Sequence, residues 1–180
     1  MLTIFGKRKL NDNQVANIFV NSMIESVEKG FPEIAGFIND CPQFVRNPNI
    51  DPDDYGRFLM IVIAGNFNYI PRYFNQGHDQ VIIRKCVEKF ADVFEMKTNE
   101  FAQLIKEYKD YLKRVNMPSK TTLYAMSKGV FYKYNLNDFQ EDYFKSLKTP
   151  NPIFLKNLDD MMKNFLWNWD KFSEKYKVTA

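Results

Sequence analysis

The sequence predicts an all-α protein, a single-domain bundle of about seven or eight helices around a central buried helix. Three observations favour this fold. Most apolar positions recur at intervals of three or four residues, which is the spacing of an amphipathic helix. One continuous apolar run has no polar face. The composition is rich in aromatic residues and poor in turn formers, with 17 Phe and 10 Tyr against 7 Gly and 8 Pro, which favours long helices over hairpins.

The apolar run extends from Phe58 to Ala64 and is the longest in the chain. A helix that is apolar on every side cannot face water, so other elements must enclose it. The run is far shorter than the roughly 20 residues of a membrane span, so a core helix is expected. Ile61, Val62 and Ile63 are β-branched and would also suit a buried strand, which periodicity alone does not exclude. The helical patterns on either side favour the helix.

All 180 residues are expected to form one domain. Residues 1 to 10 form a short N-terminal arm, and Asn11 or Asp12 caps the first helix. Gly30 is expected to end that helix, because glycine is common just beyond a helix C-terminus. A second, shorter helix is expected to begin around Pro32, since proline is well placed in a first turn.

Residues 40 to 52 contain three prolines and are predicted to form a surface loop. They belong to an acidic stretch, residues 31 to 56, with five acids and one base and a net charge of −4. The central helix is expected to continue through Tyr69 and to bend or stop near Pro71. The later helices are predicted to start at or near polar residues, some of which can cap a first turn. These starts are Asp53 or Asp54 for the central helix, then Asp79, Thr98, Ser119 and, with a capping-box spacing to Gln140, Asn137.

A long C-terminal helix is predicted over residues 153 to 176, with Asn151 as its cap and Pro152 as its first residue. Its large apolar residues advance by three, four or seven positions and need a surface to pack on, either this domain or another subunit. Self-association through Phe165, Trp169 and Phe172 is therefore one predicted interaction, and Trp169→Ala would then weaken it.

Charge and cysteine content exclude several classes of protein. The net charge of +3 does not by itself imply nucleic acid or a membrane as partner. Cys41 and Cys86 show neither a Cys-x-x-Cys nor a Cys/His spacing, so no disulfide framework, metal site or other cofactor is predicted. The N-terminal residues lack the basic-then-apolar order of an export signal, so a cytoplasmic location is the expectation.

No catalytic residue is predicted, because the residues that enzymes use most are scarce and scattered. His78 is the single histidine, and its place between two helices is more typical of a turn residue than of a general base. The acidic pairs at residues 53–54 and 159–160 point about 100° apart if helical, so neither forms a two-carboxylate site alone. Glycine motifs that cradle phosphate are absent from the sequence. The predicted function is a non-catalytic protein-interaction or small-ligand-binding module.

A ligand site is predicted where the central helix becomes polar. Asn68 and Arg72 are four residues apart and would share one helical face, and such polar groups need partners if they are buried. If this face points inward, it could bind a small polar or anionic ligand, whereas an outward face would be an ordinary solvated edge. The predicted ligand residues are Asn66, Asn68, Tyr69, Arg72, Tyr73 and His78.

The alternative function is DNA binding through residues 97 to 134, which contain eight bases and three acids, a net charge of +5. A polar, basic helix start after a short turn faintly resembles a helix-turn-helix recognition segment. The predicted contact residues are Lys113, Arg114, Lys120, Thr121 and Thr122. The same residues would also suit a plain N-cap followed by a polar first turn.

Overall fold

The structure, a computed structural model, describes residues 6 to 179 and confirms the predicted all-α helical bundle. Eight α-helices and one small parallel sheet make up the regular structure of these residues. The helices are α1 Asp12–Asn39, α2 Gly56–Phe67, α3 His78–Val93, α4 Thr98–Val115, α5 Thr122–Lys133, α6 Asp142–Leu147, α7 Pro152–Met162 and α8 Trp169–Lys175. The strands are β1 Arg8–Asn11 and β2 Tyr176–Thr179, and short 3-10 turns cover Ile70–Arg72, Leu136–Phe139 and Lys163–Phe165. Within the described residues, no helix is both long and apolar enough to cross a membrane.

The apolar run forms the middle of α2, and every residue from Phe58 to Phe67 is buried. Helices α1, α4 and α5 all pack against it, so a helix without a polar face is enclosed as expected. A Cβ at Gly65 would lie 2.3 Å from the sulfur of Met126, so the glycine lets α5 approach α2 closely. Each large apolar side chain buried here contributes about 1.5–3 kcal/mol to folding.

The predicted break in the first helix is wrong, because α1 runs without interruption from Asp12 to Asn39 with Pro32 inside it. One buried stripe continues through the proline from Val27 to Phe31 and Ile34, and it outweighs the roughly 3 kcal/mol that an interior proline costs. Gly30 serves packing rather than termination. A Cβ at this position would lie 2.7 Å from the ring of Phe165.

The predicted C-terminal helix over residues 153 to 176 is also wrong, because it is divided. Helix α7 ends at Met162, a 3-10 turn and an extended segment follow, and α8 begins at Trp169. Two asparagines account for the division. Asn66 binds the backbone on both sides of Leu166, and the side chain of Asn168 accepts a hydrogen bond from the backbone N–H of Lys171 and so starts a new helix. The chain then ends its regular structure as strand β2.

Two of the predicted caps are confirmed. Asn11 forms a capping box with Gln14 at the start of α1. Asn151 accepts a hydrogen bond from the N–H of Ile153, with Pro152 as the first residue of α7.

Other predicted starts differ from the structure. Residue 55 precedes α2 without a side-chain cap, and Asp54 instead pairs with Arg57 at 2.6 Å. Thr98 begins α4 but does not cap it, and Thr121 rather than Ser119 caps α5. Asn137 lies in a 3-10 turn and binds the side chain of Gln140 at 3.1 Å, so it starts no α-helix.

The predicted arm and loop occupy opposite ends of α1. Residues 1 to 5 of the arm lie outside the described residues, whereas Arg8–Asn11 forms β1 and pairs in parallel with β2. Leu10 in this strand is 2% exposed, so the sheet docks on the helical core. Residues 40 to 55 contain no helix, and their one strand-like contact is a bridge from Phe44 to Gln140.

Candidate ligand-binding site

Asn66, the most buried of the predicted ligand residues, uses its side chain for hydrogen bonds within the protein. Its amide nitrogen donates hydrogen bonds to the carbonyls of Val62 and Phe165, each at 2.8 Å. Its amide oxygen accepts a hydrogen bond from the backbone N–H of Trp167, also at 2.8 Å. The side chain is therefore a clamp between α2 and the segment before α8, with both amide hydrogens donated and only 1% of the residue exposed to a ligand.

The structure does not gather the other predicted residues into one site. Asn68 and Arg72 are exposed, and the Arg72 guanidinium lies over the Tyr69 ring at 4.7 Å. Tyr69 and Tyr73 line a cleft of about 320 Å³ beside Trp169. Tyr73 also borders a neighbouring cleft of about 240 Å³, which His78 lines. The predicted polar face therefore points outward, and only its aromatic members and His78 border concave surface.

His78 ties two helix starts together. Its Nε2 lies 2.6 Å from a carboxylate oxygen of Asp12, the first residue of α1, and its ring packs edge-on against Phe74 at 5.2 Å. Ionisable tyrosines 73 and 176 line the same cleft. The arrangement positions α3 against α1, and the described residues place no hydrogen-bonded nucleophile on the histidine.

A third cleft, on the other side of α8, is mainly apolar and has a volume of about 340 Å³. We call it the α8 cleft. It is lined by Ile18, Trp167, Asn168, Lys171, Phe172, Lys175 and Tyr176. The Phe172 ring stands 5.9 Å from Trp167 and 4.9 Å from Tyr176 and is inclined to them by 55° and 41°, so the three rings form an angled aromatic wall whose middle member is largely buried. Such walls favour flat or apolar ligands.

The turn before α8 determines the shape of this cleft. The bond from Asn66 holds the backbone of Trp167 in an extended segment, and Asn168 then caps α8. Lys171 and Lys175 both belong to the helix that begins there. Because they are four residues apart, they share one of its faces. Both lysines are exposed and line the cleft, so two ammonium groups border an aromatic wall.

The lysines of the α8 cleft lack salt-bridge partners in the part of the chain that the structure describes. Neither Lys171 nor Lys175 forms an ion pair with any carboxylate among residues 6 to 179. The acids of α8 are Asp170 and Glu174, and Glu174, three residues after Lys171, lies beside it on the helix surface without forming an ion pair. The cleft can therefore attract an anion without displacing an internal partner.

The predicted DNA-binding residues lie around the turn between α4 and α5. Lys113 and Arg114 are exposed at the end of α4, and Lys120 lies over the Tyr124 ring at 4.7 Å. Thr121 caps α5, whose first residue is Thr122. Every residue of α5 from 125 to 131 is buried, so only its first turn could reach a DNA groove.

The three residues predicted for self-association are inside this single chain. Phe165, Trp169 and Phe172 are only 5%, 1% and 6% exposed, so they form core rather than a surface for a second subunit. The correction follows from the divided C-terminal helix. Its second part, α8, turns Trp169 inward, where the ring stacks against Phe19 of α1 at 5.7 Å and packs edge-on against Phe74 at 5.3 Å.

Chemistry outside the clefts is limited in the described part of the chain. Those residues hold no group of three or more His, Cys, Asp and Glu side chains arranged for a metal ion. Both cysteines are buried, and burial raises the pKa of the Cys86 thiol to about 12 and also raises that of Cys41. A thiol that stays protonated at neutral pH is a poor nucleophile.

Sequence reasoning missed most residues of the α8 cleft, namely Ile18, Trp167, Lys171, Lys175 and Tyr176. A signal was present, since two lysines at helical spacing alternate with aromatic residues from 167 to 176. The same spacing also fits the single helix predicted over residues 153 to 176. In that helix the side chains would be arranged around the axis of α7 rather than that of α8. In a comparison with known proteins, the chain matches no family model, no curated protein and no solved structure.

Proposed function

We propose that this protein is a non-catalytic small-ligand-binding module, and that its ligand is an organic anion with a flat apolar body bound in the α8 cleft. One observation carries the proposal, namely that an aromatic cleft is bordered by Lys171 and Lys175, two ammonium groups that form no ion pair within residues 6 to 179. The volume of about 340 Å³ lies at the lower end of the range for small-molecule sites. The apolar body would pack on the aromatic wall while the anion meets the lysines.

Isothermal titration calorimetry with 1-naphthoate tests the proposal, with 1-naphthalenemethanol and 1-naphthalenemethylamine as neutral and cationic counterparts. We expect the naphthoate to bind with a Kd of about 10–100 µM, which is reasonable for a ligand of this size. The neutral analogue should bind about tenfold more weakly, and the amine more weakly still, because the lysines repel it.

A pair of lysine variants identifies the site. Lys171→Met with Lys175→Met keeps the aliphatic stems and removes both charges, so naphthoate affinity should fall about tenfold or more. Lys156→Met is the matched control, because that lysine is exposed on α7 and lines none of the three clefts around α8. Equal binding of the amine, or unchanged affinity in the double variant, would refute the proposal.

DNA binding by residues 97 to 134 has less support as a function. Lys120 and Thr121 are exposed just before α5 and Thr122 is half-buried in its first turn, but residues 125 to 131 of the helix are buried. Salt-dependent retention on duplex DNA that is lost in Lys113→Glu with Lys120→Glu would favour it.

A further inference from the structure

The cleft of about 320 Å³ beside Trp169 has a lining unlike that of the α8 cleft. Asp170 contributes a carboxylate to it, so we call it the Asp170 cleft. Half of its eight lining residues are aromatic, namely Tyr69, Tyr73, Trp167 and Trp169. Neither lysine of the α8 cleft lines it, so the two clefts differ in the charge that they present.

The aromatic rings of the Asp170 cleft form a corner rather than a flat wall. Trp169, which is 1% exposed, contacts two of the others, with Tyr73 5.9 Å away at 30° and Trp167 6.1 Å away at 75°. Because these two angles differ, the planes of Tyr73 and Trp167 are not parallel. Tyr73 is 40% exposed and both Tyr69 and Trp167 are half-buried, so ring surface is accessible on three sides of the buried tryptophan.

Trp167 presents its apolar part to the surface. Its indole N–H is buried and has no hydrogen-bond partner among residues 6 to 179, so the exposed part of the side chain is hydrocarbon ring. The face of an aromatic ring carries negative electrostatic potential and attracts a cation. Two such rings at an angle suit a compact, rounded cation better than a flat molecule.

The charges at the Asp170 cleft also favour a cation. Asp170 is exposed and forms no ion pair in the described part of the chain. Lys163 contributes an ammonium group to the lining, but Asp160 pairs with it at 2.9 Å. The Arg72 guanidinium lies over the Tyr69 ring at 4.7 Å, so this ring already holds a cation of the protein itself.

We infer that the Asp170 cleft binds a trimethylammonium group, as found in choline. The inference goes beyond the proposed function, because it assigns a second site with the opposite charge preference. A trimethylammonium group is rounded, has no N–H to satisfy and can bring its methyl groups against ring faces on two sides. An unmethylated ammonium is strongly hydrated and donates three hydrogen bonds, which ring faces satisfy poorly.

Isothermal titration calorimetry with choline tests the inference, with 3,3-dimethyl-1-butanol as a neutral compound of the same shape. We expect choline to bind with a Kd of about 0.1–1 mM, which is reasonable for so small a ligand. The neutral compound should bind about fivefold more weakly or worse, because neither the rings nor Asp170 attract it. Ethanolamine, which lacks the methyl groups, should also bind more weakly than choline.

Tyr73 offers a matched pair of variants. Tyr73→Phe keeps the ring and should keep choline affinity within about twofold, whereas Tyr73→Leu keeps apolar bulk without the ring and should lower it about fivefold. Asp170→Asn should lower affinity about threefold, a modest effect because the carboxylate is exposed. Arg72→Met removes a competing cation from the Tyr69 ring, so choline affinity should hold or rise. Melting temperatures close to that of the native chain confirm that each variant is folded.

The lysine variants of the α8 cleft separate this inference from the proposed function. Lys171→Met with Lys175→Met should lower naphthoate affinity while choline affinity holds or rises, since neither lysine lines the Asp170 cleft. Naphthoate binding without choline binding would overturn this inference alone. Choline binding without naphthoate binding would overturn the proposed function alone.

Phosphocholine and Nε-trimethyllysine carry the same cation on other molecules, and they distinguish a lipid head group and a modified peptide from free choline. Tighter binding of either one, with the same loss in Tyr73→Leu, would support the inference and identify the source. Equal affinity for choline and 3,3-dimethyl-1-butanol would overturn it. An equal loss in Tyr73→Phe and Tyr73→Leu, or no loss in Tyr73→Leu, would also overturn it, because the ring face would then not be the binding surface.

Discussion

Asn66 shows how a single buried amide can determine the path of a distant segment. Its three hydrogen bonds, each at 2.8 Å, join α2 to the carbonyl of Phe165 and the N–H of Trp167. Asn66→Ala would leave those backbone groups without partners in a site that is 1% exposed. We expect the free energy of unfolding to fall by about 2–4 kcal/mol in urea titrations, because buried unpaired polar groups are costly.

Asn68 provides the matched control for that measurement. It lies two residues further along the chain, is exposed, and its side chain makes no hydrogen bond within residues 6 to 179. Asn68→Ala should change the free energy of unfolding by less than about 0.5 kcal/mol. A loss at residue 66 no larger than that at residue 68 would refute the clamp.

The contrast between these two asparagines also shows why the sequence alone could not identify which polar residues are free to bind a ligand. Sequence placed Asn66, Asn68 and Arg72 next to an apolar run but could not say which way each one faces. The answer depends on Phe165 and Trp167, about a hundred residues away, whose backbone C=O and N–H both bind the Asn66 amide. A long-range polar contact of this kind leaves no periodic signal in the chain.

The contact between α5 and α7 contains a polar pair that is not satisfied. One carboxylate oxygen of Asp159 and the hydroxyl of Ser127 are buried, and neither has a hydrogen-bond partner within normal distance. Burial raises the pKa of Asp159, although the nearby Ser127 hydroxyl acts in the opposite direction. The folded protein therefore holds a proton on this carboxyl to higher pH than the unfolded chain does.

The pH dependence of stability follows from the raised pKa of Asp159. Between the unfolded and folded pKa values of Asp159, the folded state binds more protons, so its contribution to stability falls as the pH rises through this interval. Asp159→Asn cannot ionise and should be more stable than the native chain by roughly 1 kcal/mol at neutral pH. The difference in melting temperature should disappear in acid. A difference that does not vary with pH would contradict this account.

At the scale of elements, the helical stripes predicted the class and much of the order of the helices. Local patterns could be predicted from the sequence because each depends on neighbouring residues. They include the apolar stripes of α1, α3, α4 and α7 and the caps Asn11 and Asn151. The sequence wrongly predicts a new helix at Pro32 and a continuous helix through Trp167, because tertiary contacts override local preference at both places. A continuous buried face carries α1 through its proline, and Asn66 with Asn168 divides the C-terminal helix.

Across the whole molecule, acidic and basic residues gather at opposite ends of α1. The acidic stretch from 31 to 56 begins in the last turns of this helix, and the basic residues of β1 and β2 lie near its first residue. A helix of 28 residues spans about 42 Å, so the opposite charges are well separated. Only the parallel pairing of β1 with β2 assembles the basic end, and four-residue strands give too little pattern for sequence to reveal it.

That pairing can be tested by removing residues 176 to 180. The deletion would leave β1 without its partner, uncover Leu10 and remove the Tyr176 ring from Phe172, to which it lies 4.9 Å away. We expect a loss of about 2–4 kcal/mol in the free energy of unfolding, given the apolar area exposed. Hydrogen exchange should show lost protection at residues 8 to 11 while the amides of α2 stay protected.

Leu10→Ala in the full chain separates packing from strand pairing in the same experiment. It should lower stability by about 2–3 kcal/mol yet keep the amides of β1 protected, because the backbone ladder to β2 remains. If the deletion left residues 8 to 11 as protected as before, the two segments would not hold each other.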